Sequence, residues 1–507
     1  MMSRKVGSGG FFYPSIYSQS KDYVTKNFKE GRIDYGEFSS WSFADKFMAY
    51  LLATKFLEFA DRTYPTPREK AEIPVWFLIC CQIVMRMTLN NSYTSLHHLM
   101  LNAGPVLLRV GFNIGSKRLG FNNKNEKERL TSVDQDTVRK FFKDTKPQEI
   151  RDWYNIEVQR WFKEQNYFDT KGIYVLDQTH CVVPDNKNYK DAAMMPVDEH
   201  GQIQGDVVNK VTGEVQKAKY RPCYSLSYLL HLPVSKESFH VAGYEWGPGN
   251  EDEIPQARKL LENFHKGHKD AIKLLIVDRG YISGELITEI KRKYNIDVLI
   301  PLRKNMHEYT DAVALSKMED VKWESESFKA NEKYRACIID DSSLWKECKE
   351  KLYTVVVERS VYEEKTEEWT TSTWVLCTTK NIKKAMSAVK LYNIRTQIEE
   401  RNDQFKNAWC IADFPSPNAS LIEAQVCFIL LTYSLIQSYL VREDLQRFAN
   451  KTIETLRRED ALGINNMIIY KDDRFAVYDT VYALNIVNDL ETKEARQRLR
   501  EVLNRKK

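Results

Sequence analysis

No two of the nine cysteines (80, 81, 181, 223, 337, 348, 377, 410 and 427) form a C-x-x-C pair, and several lie in apolar runs such as "FLICCQIVM". That scatter excludes the usual zinc-site and disulfide frameworks and points to reduced, packed thiols in a cytosolic protein. A strong charge imbalance is also missing. Lys and Arg number 75 against 70 Asp and Glu, a net charge of +5, so any surface that binds nucleic acid must be local. The stretch "MMSRKVGSGGFFYPSIYSQS" has no apolar core, which argues against a secretion signal. No internal repeat and no low-complexity segment is present. In "GPGN" (247–250) no G-K-[S/T] follows, so a phosphate cradle is excluded there, and Asn250 and Asp252 read as the start of a helix.

What is present is a long chain with several textures. At 507 residues, length alone suggests about three domains. Residues 1 to about 165 show helical periodicity in "FADKFMAYLLATKFLEFADR" and "PVWFLICCQIVMRMTL", with basic clusters at Lys117/Arg118, "NKNEKERL" and "TVRKFFKDTK". "SVDQDTVRKFFK" reads either as a capped surface helix or as the second helix of a helix-turn-helix. From 171 strands and helices alternate: "GIYVLD" with "THCVV" as a neighbouring strand, then "CYSLSYLLHL", "SFHVAGYEW", the helix "PQARKLLENF", "KLLIVDRGY", the helix "GELITEIKRKY" and "DVLIPL". Such an order predicts an α/β fold, a mixed sheet flanked by helices. Short apolar runs between 304 and 380 predict a β-rich insertion, and 443–507 reads as helical and polar. The stretch "LIEAQVCFILLTYSLIQSYLV" (421–441) is long enough to span a bilayer. Its Glu423, Gln425 and Gln437 favour a helix buried in a core, and no membrane partner is expected.

Two apolar strands run into aspartate, at Asp177 and Asp278, and the carboxyl ends of parallel strands are where α/β sheets bind ligands. A third acid comes from "YNIRTQIEERNDQFK" (392–406). On one helix, at about 100° per residue, Tyr392, Arg395, Glu399 and Lys406 share a sector of about 60°. Ordinary i,i+4 pairing explains that row poorly, because Asp403 stands four residues after Glu399. Three converging carboxylates repel unless cations neutralise them, and all-oxygen donors suit Mg²⁺ or Mn²⁺. Two such ions about 3.5–4 Å apart suit in-line displacement at phosphorus. Arg395 and Lys406 would then supply charge for a phosphate backbone, with Tyr392 to donate or stack. Asp403 lies near the same sector and is the alternative third acid; His180 reads as a structural strand histidine.

The row Y-(2)-R-(3)-E-(6)-K at Tyr392, Arg395, Glu399 and Lys406, preceded by "VLDQT" and "IVDRGY", resembles the DDE transposases of bacterial insertion sequences, in the branch that carries this signature. The similarity covers about 171–442. It implies a ribonuclease-H-like catalytic core interrupted by a β-rich insertion, with Asp177, Asp278 and Glu399 as catalytic residues holding two Mg²⁺ ions, or Mn²⁺ as a substitute. It implies an endonuclease that cleaves DNA with water and transfers the freed 3′ hydroxyl into target DNA. "TSTWVLCTT" resembles the strand whose tryptophan stacks on a flipped base, which makes Trp374 the candidate; a core-packing strand residue is the other reading. Under the resemblance, 1–170 is a helical DNA-end-binding region, 171–303 the first part of the core, 304–380 the insertion, 381–442 the second part of the core and 443–507 a helical region suited to dimerisation. The partners implied are terminal inverted repeats and target DNA, held by a homodimer on paired ends, in the cytoplasm at the nucleoid. A DNA-binding descendant without catalysis, and a nuclease or resolvase on the same core, remain as alternatives.

Overall fold

The computed structural model describes residues 18–39, 43–68, 73–101, 133–169, 171–198, 202–208, 215–232, 238–339, 345–363, 366–461, 466–490 and 492–503. The basic clusters at Lys117/Arg118 and "NKNEKERL" lie outside them. Contacts divide the chain into two units: Tyr154–Asn407, and Met1–Trp153 together with Ala408–Lys507.

A ten-stranded mixed sheet organises the Tyr154–Asn407 unit. In chain order its strands are β1 (Gly172–Val182), β2 (Ala193–Val197), β3 (Lys219–Leu232), β4 (His240–Pro248), β5 (Ile272–Val277), β6 (Asp297–Pro301), β7 (Glu324–Lys329), β8 (Glu332–Ile339), β9 (Tyr353–Glu363) and β10 (Glu368–Thr378). The spatial order is β7-β8-β9-β10-β6-β5-β1-β3-β2, with β4 pairing the remaining length of β3. Only the β1–β5 and β5–β6 pairings are parallel; the other pairings are antiparallel. The segment β4-β3-β1-β5-β6 has the strand order of a ribonuclease-H-like core. The insertion does not build a sheet of its own, because β10 pairs with β6 and extends the core sheet by four strands.

Parallel strands are covered on both faces and therefore read as continuous apolar runs. "IKLLIV" in β5 is buried at every position but Lys273, and Val298, Leu299 and Ile300 of β6 are buried. One face packs under α1 (Glu253–Gly267) and α2 (Gly284–Tyr294), through Leu260, Leu261 and Phe264 of the first and Leu286, Ile287 and Ile290 of the second. Both helices are capped as their sequences require: Asp252 Oδ1 accepts from the Ile254 amide at 3.0 Å, and Ser283 Oγ from Leu286 at 3.2 Å.

The expectation that "GIYVLD" and "THCVV" are two strands is corrected. β1 is continuous through both, because β3 offers it partners from Leu232 to Cys223, well beyond the point where β5 ends.

In the other unit, Ala419–Arg442 is buried almost throughout, and it is the one helix among the described residues long and apolar enough to cross a membrane. Its Glu423 is answered by Arg151, whose Nη2 lies 2.7 Å away, so the acid is paired inside the core. The terminal regions, expected to be helical, also hold a four-stranded sheet: Ser18–Gln19, Arg474–Asp479, Asn466–Lys471 and Tyr35–Ser39, in that order. Its hairpin "NMIIYKDDRFAVYD" buries Met467, Ile469, Ala476 and Tyr478 among Val24, Phe28 and Ile486. A pairing between residues more than 400 apart leaves no local signal. The helix Gln135–Asp144, carrying Arg139, Lys140 and Lys143, is N-capped by Asp134 and buries Val138, Phe141 and Phe142.

Candidate active site

β1 and β5 are paired in parallel with Leu176 opposite Val277, so Asp177 and Asp278 follow as the next residue on each of two adjacent strands. Tyr174 and Leu176 point into the layer of α1 and α2, and the strand's alternation turns Asp177 to the opposite face. On that face lies the helix α4 (Ala385–Asn393), followed by α5 (Thr396–Asp403). The row is therefore not one straight helix. It breaks at Ile394–Arg395, and a π-helical turn, Gln404–Ala408, shifts the register before Lys406. Buried Ile398 and Phe405 still fix one side of it, as the apolar periodicity requires.

The break places Arg395 against all three acids. Its Nη2 lies 3.1 Å from Asp278 Oδ2 and 3.5 Å from Asp177 Oδ2, and its Nη1 2.5 Å from Glu399 Oε1. The last contact corrects the sequence reading of the row: Glu399 does have an i,i+4 partner, but it precedes it. Burial works against the charge on Arg395, yet the attraction of Asp177, Asp278, Tyr392 and Glu399 holds its pKa above the usual guanidinium value.

The acids differ in setting. Asp177 is 8 % exposed; burial first, then repulsion from Asp278 and Glu399, pushes its pKa up to about 6 against the pull of Arg395 and of the Gln178 amide. Its Oδ1 accepts from that amide at 3.0 Å and its Oδ2 from Asn402 Nδ2 at 3.2 Å. Asp278 caps the turn Arg279–Tyr281, with Oδ1 accepting from the Arg279 amide at 2.6 Å. Glu399 is exposed.

Four residues outside the motif build the site's frame. Tyr228, opposite Asp177 in the ladder, donates its hydroxyl to Asn402 Oδ1 at 2.8 Å, and Asn402 in turn donates to Asp177. Arg401 is fully buried, with its guanidinium 4.3 Å over the Phe239 ring, which locks the far side of α5. Glu253, first residue of α1, has a buried Oε2 with no hydrogen-bond partner among the described residues. Its pKa is raised by burial first and then by Asp177 and Asp278. It lies against Gly280, where an added Cβ would come within 1.8 Å of Glu253 Oε2, so any larger residue there would displace the Glu253 carboxyl. In sequence "NEDEIP" reads simply as a helix start, and nothing local distinguishes Glu253 from its acidic neighbours.

The other candidates are placed as follows. Tyr392 is half-buried, its phenol pushed up first by burial, and its ring lies 5.4 Å from that of Trp374, also half-buried on β10. Lys406 lies near His180, Cys181 and Cys223, whose titration it influences, and has no ion-pair partner among the described residues. His180 Nε2 lies 3.0 Å from the Gly249 carbonyl, a structural role. Asp403 is exposed and joins none of the contacts around Arg395, and Glu400 pairs with Arg401 at 3.0 Å.

Among the described residues no three acidic, histidine or cysteine side chains stand together as a ready metal cluster. At Asp177, Asp278 and Glu399 the guanidinium stands between the oxygens. The donor set nevertheless fits divalent metal: hard carboxylate oxygens from three segments, all facing one cation.

A family model described as the transposase DDE domain matches residues 168–435, slightly more than half of the chain. A search of curated proteins finds no match. The matched span contains both aspartates, the insertion and the Arg395–Glu399 helix. The chain belongs to the transposase DDE domain family.

Proposed function

We propose that this chain is a transposase of the branch with the Y-R-E-K signature, cutting DNA at the ends of its element and joining the freed 3′ hydroxyl to target DNA. The reading rests on one observation: Asp177, Asp278 and Glu399, from two strands and a helix, converge on a single cation. These carboxylates would hold two Mg²⁺ ions, or Mn²⁺, which when bound supply activation of the attacking oxygen and stabilisation of the leaving one.

The chain's own residues do the rest. Asn402, held by Tyr228, fixes the rotamer of Asp177, and the Arg279 amide fixes that of Asp278. Lys406 and Arg395 bind the phosphate backbone, Arg395 with the geometry for a bidentate contact. Trp374, backed by Tyr392, takes an unpaired base on its face; the 5.4 Å ring contact supports the pair acting as one platform. In the same reading, residues 1–170 recognise the terminal inverted repeats, 171–303 and 381–442 are the catalytic core, 304–380 is the insertion, and 443–507 serve a homodimer on paired ends at the nucleoid.

Purified full-length protein is incubated with DNA carrying the element's ends and Mg²⁺, beside Asp177→Ala, Asp278→Ala and Glu399→Ala. Cutting by wild type and its loss, by at least about a thousandfold, in each variant with end binding retained is expected. Equal cutting by all four rejects the assignment of the carboxylates. End binding without cutting by wild type identifies a DNA-binding descendant, and cutting of branched or nonspecific DNA in preference to the ends identifies a nuclease or resolvase.

A further inference from the structure

The two aspartates each have one oxygen committed to the backbone. Asp177 Oδ1 accepts from the Gln178 amide and Asp278 Oδ1 from the Arg279 amide, while Asp177 Oδ2 also accepts from Asn402 Nδ2; the oxygens turned toward an outside cation are the two Oδ2 atoms. Both Oδ2 atoms, and Glu399 Oε1, face Arg395. A Mg²⁺ ion takes carboxylate oxygens at about 2.0–2.1 Å and needs their lone pairs directed at it. It would draw on the same atoms that the guanidinium holds at 2.5–3.5 Å. The guanidinium and a divalent ion therefore compete for these oxygens.

The charge balance favours exchange. Three carboxylates against one guanidinium leave two negative charges, with the buried Glu253 carboxyl close by. Two divalent ions would leave the same acids with a net positive charge, and Arg395 would then be repelled by what replaced it. It is anchored at the break between α4 and α5, with Nε buried and unpaired, so the side chain has little to hold it once its carboxylates are gone. A phosphate is the natural next partner for a planar, always charged fork.

We propose that Arg395 is an internal counter-ion: it holds Asp177, Asp278 and Glu399 in register, is released when divalent ions take their outer oxygens, and then binds the DNA backbone. Metal binding and DNA binding are thereby coupled through one side chain, as a positioning residue for the first and a direct contact for the second. By linkage, DNA raises metal affinity by the factor by which metal raises DNA affinity. The proposal rests on the carboxylates being the metal ligands, and its test separates the two.

Mn²⁺ is titrated calorimetrically into full-length wild type, Arg395→Gln, Arg395→Lys and Asp177→Asn without DNA, and binding of an end duplex is then measured with and without Mn²⁺. Expected is Mn²⁺ affinity about tenfold higher in Arg395→Gln than in wild type, because a competing charge is removed, with Arg395→Lys between them. A residue that merely braced the site would give the opposite sign. Mn²⁺ should raise duplex affinity about tenfold in wild type and leave Arg395→Gln almost unchanged. Melting in EDTA should be lower for Arg395→Gln than for wild type and recover with Mn²⁺. Equal or weaker Mn²⁺ binding in both arginine variants, with Asp177→Asn still weaker than wild type, overturns the counter-ion role and leaves the metal site standing. If wild type and Asp177→Asn bind Mn²⁺ alike, or neither binds it, the metal reading itself fails and this proposal with it. Arg395→Lys keeps the comparison readable should the glutamine variant not fold.

Discussion

The strand Ile272–Val277 and the hairpin β9–β10 belong to one sheet and are built on opposite terms. β5 is covered on both faces and ends where Asp278 leaves the ladder. The hairpin is buried only at its root, Thr354–Val357 and Val375–Thr378; Trp369, Thr370, Thr371 and Ser372 are exposed. A carboxylate that must meet two others within a few tenths of an ångström needs a support that cannot move, and close packing provides it. The proposed contact with DNA needs reach and exposed side chains, and the outer part of the hairpin has both.

The widest contrast between the two should appear in stability. Ile276→Ala, at a fully buried position one residue before the end of β5, is expected to cost about 2–5 kcal/mol, and Thr371→Ala on the hairpin no more than about 0.5 kcal/mol, in urea unfolding. Similar costs would mean that the hairpin is as much a part of the core as β5.

Next comes Asp177, where the proposed function and stability oppose each other. Its folded pKa near 6 stands above the usual 3.8, so stability linked to its protonation is fully present below about pH 3.8 and is lost as the pH rises through 6. Asp177→Asn, which does not titrate, should be more stable than wild type by about 3 kcal/mol at pH 8, with the gain shrinking to nothing below pH 4. A difference that does not change with pH would refute the buried, charge-crowded setting.

On the hairpin side, Trp374→Ala should weaken binding of DNA that offers an unpaired base by about 1–3 kcal/mol, while a fully paired duplex of the same length binds as before. Equal loss on both substrates would return Trp374 to a packing role. A small effect is expected at Trp369, whose ring lies 4.3 Å from Lys333 Nζ at an exposed site: Trp369→Ala should cost about 0.5–1 kcal/mol of stability, and high salt should reduce the difference.

How far each of these residues could be foreseen depends on how local its signal is. Asp177 and Asp278 end apolar runs, and Glu399 stands in a row of fixed spacing, so all three could be read from their own segments. Asn402, Tyr228 and Glu253 could not: their roles come from facing Asp177 across β1, β3, α5 and α1, and each has an ordinary local explanation. Arg395 lies between. Its place in the row is what the proposed phosphate contact rests on, but a wheel drawn on one straight helix hides the break that turns it onto the carboxylates.

By itself the sequence determined the main buried strands of the core and the helices that cover them, because burial on one or both faces imposes a period on neighbouring residues. It also determined the charged groups available at the strand ends. Only the tertiary structure decided that β1 runs unbroken past Asp177, that both termini share a sheet, and that one arginine faces three acids. Those outcomes follow from pairings between residues tens to hundreds of positions apart, whose energies depend on distance in space and leave no periodic trace along the chain.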